Sequence, residues 1–140
     1  MRIAQTYQTK SALQTIRNSG VAEQLEVVLN QAELPLKPRA SAAIKDSIES
    51  RLDHLGWLIH LRIDVDLRAE VNAFHSSGTA LQVQLGNVAR AFYDLMKLQR
   101  LYELNKISVG VLVVPMKAAA VRIGSNLASF ERLSEEHELM

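Results

Sequence analysis

From Trp57 the chain alternates with a period of two. Trp57, Ile59, Leu61, Ile63, Val65 and Leu67 interleave with His60, Arg62, Asp64, Asp66 and Arg68, the signature of a half-buried strand. The strand runs on or bends into Glu70-Val71-Asn72-Ala73-Phe74, forming one arm from Trp57 to Phe74. His75-Ser76-Ser77-Gly78 then supplies turn chemistry before Thr79–Leu85 resumes the alternation, so a hairpin is predicted. A three-residue loop Ser76-Ser77-Gly78, with glycine at the position needing positive φ, pairs His75 with Thr79. The same register sets Asn72 opposite Gln82 and Glu70 opposite Gln84, giving one face four polar side chains. Val71, Ala73, Leu81, Val83 and Leu85 fall on the other face, as a sheet buried on one side requires.

Helical spacing brackets this region. Ser11 stands where it can cap a helix carrying Leu13, Ile16, Val21, Leu25 and Val28, with a break at Ser19-Gly20, after a short β-like stretch over Met1–Thr9. Leu34-Pro35-Leu36-Lys37-Pro38 is a stiff connector, because each proline fixes φ and disfavours helix in the residue before it. A helix over Ser41–Leu55 follows, closed by Gly56. Asn87 caps a second long helix, Val88–Leu104. Its apolar stripe is Val88, Ala91, Phe92, Leu95, Leu98 and Tyr102, with Asp94, Lys97 and Arg100 turned away. Ile107–Val114 is an uninterrupted valine-rich run that fits a strand covered on both faces better than an edge strand. After Pro115 the chain is basic over Met116–Arg122, turns at Gly124-Ser125-Asn126, and ends acidic and weakly helical over Leu127–Met140.

Alternating helical and strand periods predict an α/β domain with a central mixed sheet, and 140 residues suit one core spanning 1–140. No apolar run reaches the ~18 residues of a membrane helix, and MRIAQTYQTK lacks the apolar core of a secretion signal. A cytoplasmic protein is expected. Without cysteine there is no disulfide, thiolate metal site or thiol nucleophile. A net charge of +1 gives no global attraction to polyanions, so nucleic-acid binding would need a local cluster of Lys and Arg. Lys117 and Arg122, with Lys106 as a third candidate, form one, and solubilising charge explains them equally well. His60 and His75 have no partner at metal-ligand spacing and are read as non-catalytic. Ser76 and Ser77 lack a Gly-x-Ser-x-Gly elbow and are read as turn residues.

The run Leu81-Gln82-Val83-Gln84-Leu85-Gly86-Asn87, the helix containing Ala91-Phe92-Tyr93-Asp94-Leu95, and Ile107–Lys117 together resemble the BglII/BstYI-type restriction endonucleases of the PD-(D/E)XK superfamily. Met1-Arg2-Ile3 with Tyr7, and the helix end Leu55-Gly56-Trp57, resemble them more loosely. The resemblance implies a restriction-endonuclease-like core, Mg²⁺-dependent phosphodiester hydrolysis, double-stranded DNA as substrate and a homodimer. It also makes this chain short at its C-terminus. In that family an Asp is followed by Glu-x-Gln on the next strand. Gln84 falls on the Gln and Gln82 on the Glu, while the Asp falls on Ala73 by gapless alignment and on Asn72 by the hairpin register. Either choice removes a carboxylate. Two functions follow: a Mg²⁺-dependent type II endodeoxyribonuclease rebuilt around Glu70, with Asp64 or Asp66, or a catalytically inactive DNA-binding or dimerising remnant. On the resemblance the catalytic positions are Asn72, Gln82 and Gln84, the metal positions Glu70 and Gln82, and the DNA contacts Lys117 and Arg122. A purely structural α/β module would show no DNA affinity.

Overall fold

A computed structural model describes residues 11–31, 36–64, 66 and 69–138. The elements are α1 (Ala12–Asn18), α2 (Val21–Gln31), α3 (Ser41–His54), β1 (Leu58–Asp64), β2 (Ala69–His75), β3 (Thr79–Val83), α4 (Val88–Glu103), β4 (Val109–Val113), α5 (Lys117–Ile123) and α6 (Phe130–Glu138). One sheet has the order β1-β2-β3-β4. β1/β2 and β2/β3 are antiparallel, whereas β3 and β4 are parallel and joined by the α4 crossover that such a pair needs. This is the predicted mixed sheet flanked by helices. The expectation of a strand at Met1–Thr9 lies outside the described residues.

Local chemistry ends and starts the helices as the sequence indicates. Gly56 adopts φ 91 after α3, where its N–H reaches the Asp53 carbonyl at 3.0 Å and the Trp57 N–H reaches Leu52 at 3.1 Å. Asn105, at φ 58, closes α4 in the same way. At the head of α4 the Asn87 Oδ1 accepts the Arg90 N–H at 2.9 Å. Ser11 does precede α1, but its side chain makes no cap bond and its φ is 59.

Helices cover both faces of the sheet. Ala73, Leu81, Val83 and Val109 pack with Leu25, Ile48, Leu52 and Trp57 from the α1–α3 side. On the other face Ala80 and the half-buried Leu112 meet Leu98 and Leu101 of α4. That approach depends on Gly110, where a Cβ would lie 2.9 Å from the Leu98 Cβ.

Three sequence expectations need correction. The Trp57–Phe74 arm is two strands, since β1 and β2 pair antiparallel and the chain reverses between Asp64 and Ala69. Asp64 and Asp66 therefore end β1 and enter the turn instead of continuing the strand of Glu70. The run Ile107–Val114 yields an outermost strand among the described residues, and its apolar character is used by helices on both faces, not by a second neighbouring strand. The basic stretch after Pro115, for which the sequence set no element, is helical, as α5.

Candidate functional site

The β2–β3 ladder runs through His75↔Thr79, Phe74↔Ala80 and Ala73↔Leu81. At the next pair side chains take over from the backbone. The Val83 N–H donates to Asn72 Oδ1 at 2.7 Å, and the Asn72 N–H donates to Gln82 Oε1 at 3.2 Å. Asn72 is only 8% exposed, so these bonds stitch the strands together where water has little access. Ala73 is fully buried in the core on the opposite face, among Leu81 and Val83. Of the two positions left open by sequence, Asn72 is the one that shares a surface with Gln82.

Gln84 does not pair with Glu70. Its N–H instead reaches the Val113 carbonyl at 2.9 Å, extending the parallel β3–β4 ladder. Its side chain is held at both ends, with Oε1 accepting the Gly86 N–H at 2.7 Å and Nε2 donating to Asp94 Oδ2 on α4. Asp94 is 4% exposed. Its other oxygen lies 3.4 Å from Lys97 Nζ, and that ammonium also donates to the Glu70 carbonyl at 2.8 Å. α4 is thus rotated from the stripe read in the sequence: Asp94 faces the sheet, Lys97 is largely buried, and Tyr102 points outward. The reason is polar pairing, because Gln84 on the covered sheet face needs an acceptor that no apolar residue supplies.

The Glu70 carboxyl is about half exposed, with His60 Nδ1 3.9 Å from its Oε1. His60 Nε2 contacts Oε2 of Glu49, a buried residue of α3. His60 also holds φ 53 within β1, an unusual conformation for a side chain in a strand. The sequence offered His60 no carboxylate at ligand spacing; tertiary structure brings it two, from α3 and β2. Glu49, Asp94 and Lys97 are the residues that sequence reasoning missed. Apart from the Asp94–Lys97 pair, three residues apart on α4, their partners lie on other elements 10 or more residues away, which no local pattern marks.

Lys117 and Arg122 are exposed on α5, and the Lys117 backbone N–H donates to Glu131 Oε1 at 2.8 Å. Lys106 does not join them: it precedes β4 while Lys117 follows it, leaving the length of a strand between the two.

A Mg²⁺ ion does not fit the amide pair. Both amide oxygens accept backbone N–H bonds, both are neutral, and magnesium demands hard anionic oxygens in near-octahedral array. Among the described residues no three His, Asp or Glu side chains converge on a metal position, and no helix is long and apolar enough to cross a membrane. No curated protein matches the sequence. The model of the family described as restriction endonuclease BglII/BglIII matches residues 4–139, essentially the whole chain. With the mixed sheet, the α4 crossover and the Gln82/Gln84 strand all inside that match, the chain belongs to the BglII/BglIII restriction endonuclease family, a nuclease family whose substrate is DNA.

Proposed function

We propose that this chain binds double-stranded DNA with a restriction-endonuclease fold and does not perform Mg²⁺-dependent cleavage. The observation that carries this reading is the Asn72–Gln82 pair. At the positions that the resemblance and the hairpin register assign to two metal-binding acids it holds neutral amides, and their oxygens accept β2–β3 backbone hydrogen bonds. Hydrolysis by this fold relies on a metal to polarise the phosphate and activate water, and two lost negative charges remove most of the metal's binding free energy. Gln84 supports the same conclusion, being engaged by Asp94 and Gly86. On this reading Asn72, Gln82 and Gln84 mark the ancestral catalytic positions, Glu70 and Gln82 the ancestral metal positions, and the cations of α5 contact phosphate. A single domain acting as a cytoplasmic homodimer completes the proposal, and the exposed Tyr93, Met96 and Tyr102 of α4 offer apolar surface for self-association.

The test is paired: fluorescence anisotropy with a labelled duplex, and a cleavage assay on the same duplex in Mg²⁺ and in Mn²⁺. Binding without cleavage is expected. Robust Mg²⁺-dependent cutting would overturn the proposal and assign metal binding to Glu70 and its neighbours. Absence of binding at low salt would favour a purely structural module.

A further inference from the structure

We infer that the Lys37–Arg39 turn and the C-terminal end of α5 form one phosphate-gripping surface, with Lys37, Arg39 and Arg122 as its cations and the backbone of duplex DNA as its occupant. The inference rests on the DNA-binding reading above. What joins the two segments is a single long-range bond, from the Arg39 N–H to the Ile123 carbonyl at 3.1 Å. It ties a turn before α3 to the last residue of α5, which brings the segment carrying Lys37 and Arg39 to the end of the helix that carries Arg122. The turn is closed by the Ala40 N–H on the Lys37 carbonyl at 3.3 Å, and it is anchored from below because Ala40 and Ile123 are both buried in the main core. Arg39 itself holds φ 67, a conformation that costs a non-glycine residue energy and persists only where the surroundings enforce it.

All three side chains are exposed, and no ion pair among the described residues engages any of them. The other end of α5 differs. There the Glu131 carboxylate accepts the Lys117 N–H, so a phosphate beside Lys117 would meet a negative charge. Of the two α5 cations, only Lys117 has a carboxylate hydrogen-bonded to its own backbone among the described residues. The location suits the ancestral chemistry as well. Since β3 and β4 are parallel, Gln84 and the chain entering α5 leave the sheet at the same end, and α5 then spans only about 10 Å. With a net charge of +1 the protein has no general pull on polyanions, so affinity has to come from a local group such as this one.

The experiment compares salt dependence of binding to a random-sequence duplex for two variants with equal charge loss. Arg39→Ala with Arg122→Ala removes two of the proposed cations; Lys106→Ala with Arg100→Ala removes two exposed cations at the opposite end of β4. Each phosphate contact contributes roughly 0.9 to the slope of log K against log salt. The first variant should show a slope shallower by about 1.8, with affinity reduced more than tenfold at low salt, while the second keeps the wild-type slope. Arg39→Lys should retain the wild-type slope, which separates charge from a structural effect of the turn. Equal losses in both double variants, or none in the first while the wild type binds, would overturn the surface and leave DNA binding standing. A wild type that fails to bind would overturn both.

Discussion

Asp94→Ala is the substitution for which the structure sets the clearest magnitude. Asp94 is 4% exposed and serves two donors, Gln84 Nε2 and the Lys97 ammonium, whose side chain is 12% exposed. Alanine strands both. A buried amide N–H left without its acceptor costs about 1–3 kcal/mol, and a buried ammonium stripped of its counter-ion about 3–5 kcal/mol. The second figure must be discounted, because Lys97 keeps its bond to the Glu70 carbonyl and retains some contact with water. A net loss of about 3 kcal/mol follows from the two contributions. For a chain of this length, whose total stability is of order 7–20 kcal/mol, that is a substantial fraction. It corresponds to a fall in melting temperature of about 10 °C at the usual ~2 cal/mol/K of unfolding entropy per residue. Replacing both charges, Asp94→Leu with Lys97→Met, should recover the share that comes from the stranded ammonium, since an apolar pair carries no unmet charge while the Gln84 amide stays unmet. Circular dichroism melts of the three proteins decide the matter. A shift under 2 °C for the single variant, or a double variant no more stable than Asp94→Ala, would refute the coupled network.

Combining Asn72→Asp with Gln82→Glu keeps both strand-stitching acceptors and adds two negative charges on one surface, so Mn²⁺ binding should become detectable by calorimetry; Gln82→Glu with Ala73→Asp should instead bind none and unfold more easily, because it buries a carboxylate in the core. Gly110→Ala should destabilise by about 1–3 kcal/mol in urea titration, as its Cβ would press on Leu98 across the α4–β4 contact. Asn87→Ala should cost about 1 kcal/mol by the same assay and leave DNA binding unchanged, since it removes only the cap of α4.

Much of the fold was legible in the sequence because its determinants are local. The change of period at Trp57, the three-residue loop closed by Gly78 and the pairing of His75 with Thr79 need only residues within hairpin distance. Asn87, Gly56 and Asn105 act on the nearest turn of helix, and the placement of Asn72 against Gln82 follows from the hairpin register. The resemblance carried by Leu81–Lys117 likewise lies in the linear order of residues. Tertiary structure alone decided the reversal between β1 and β2, the outer position of β4 among the described residues and the rotation of α4 that buries Asp94. It also decided the contacts of His60 with Glu49 and Glu70, and the meeting of Arg39 with Ile123. Periodicity reports which side of an element is apolar but not which polar group on a neighbouring element will satisfy a buried amide or charge. That choice is made only when the elements dock, because an unpaired polar group costs as much as several buried methylenes and rotates helices to find its partner.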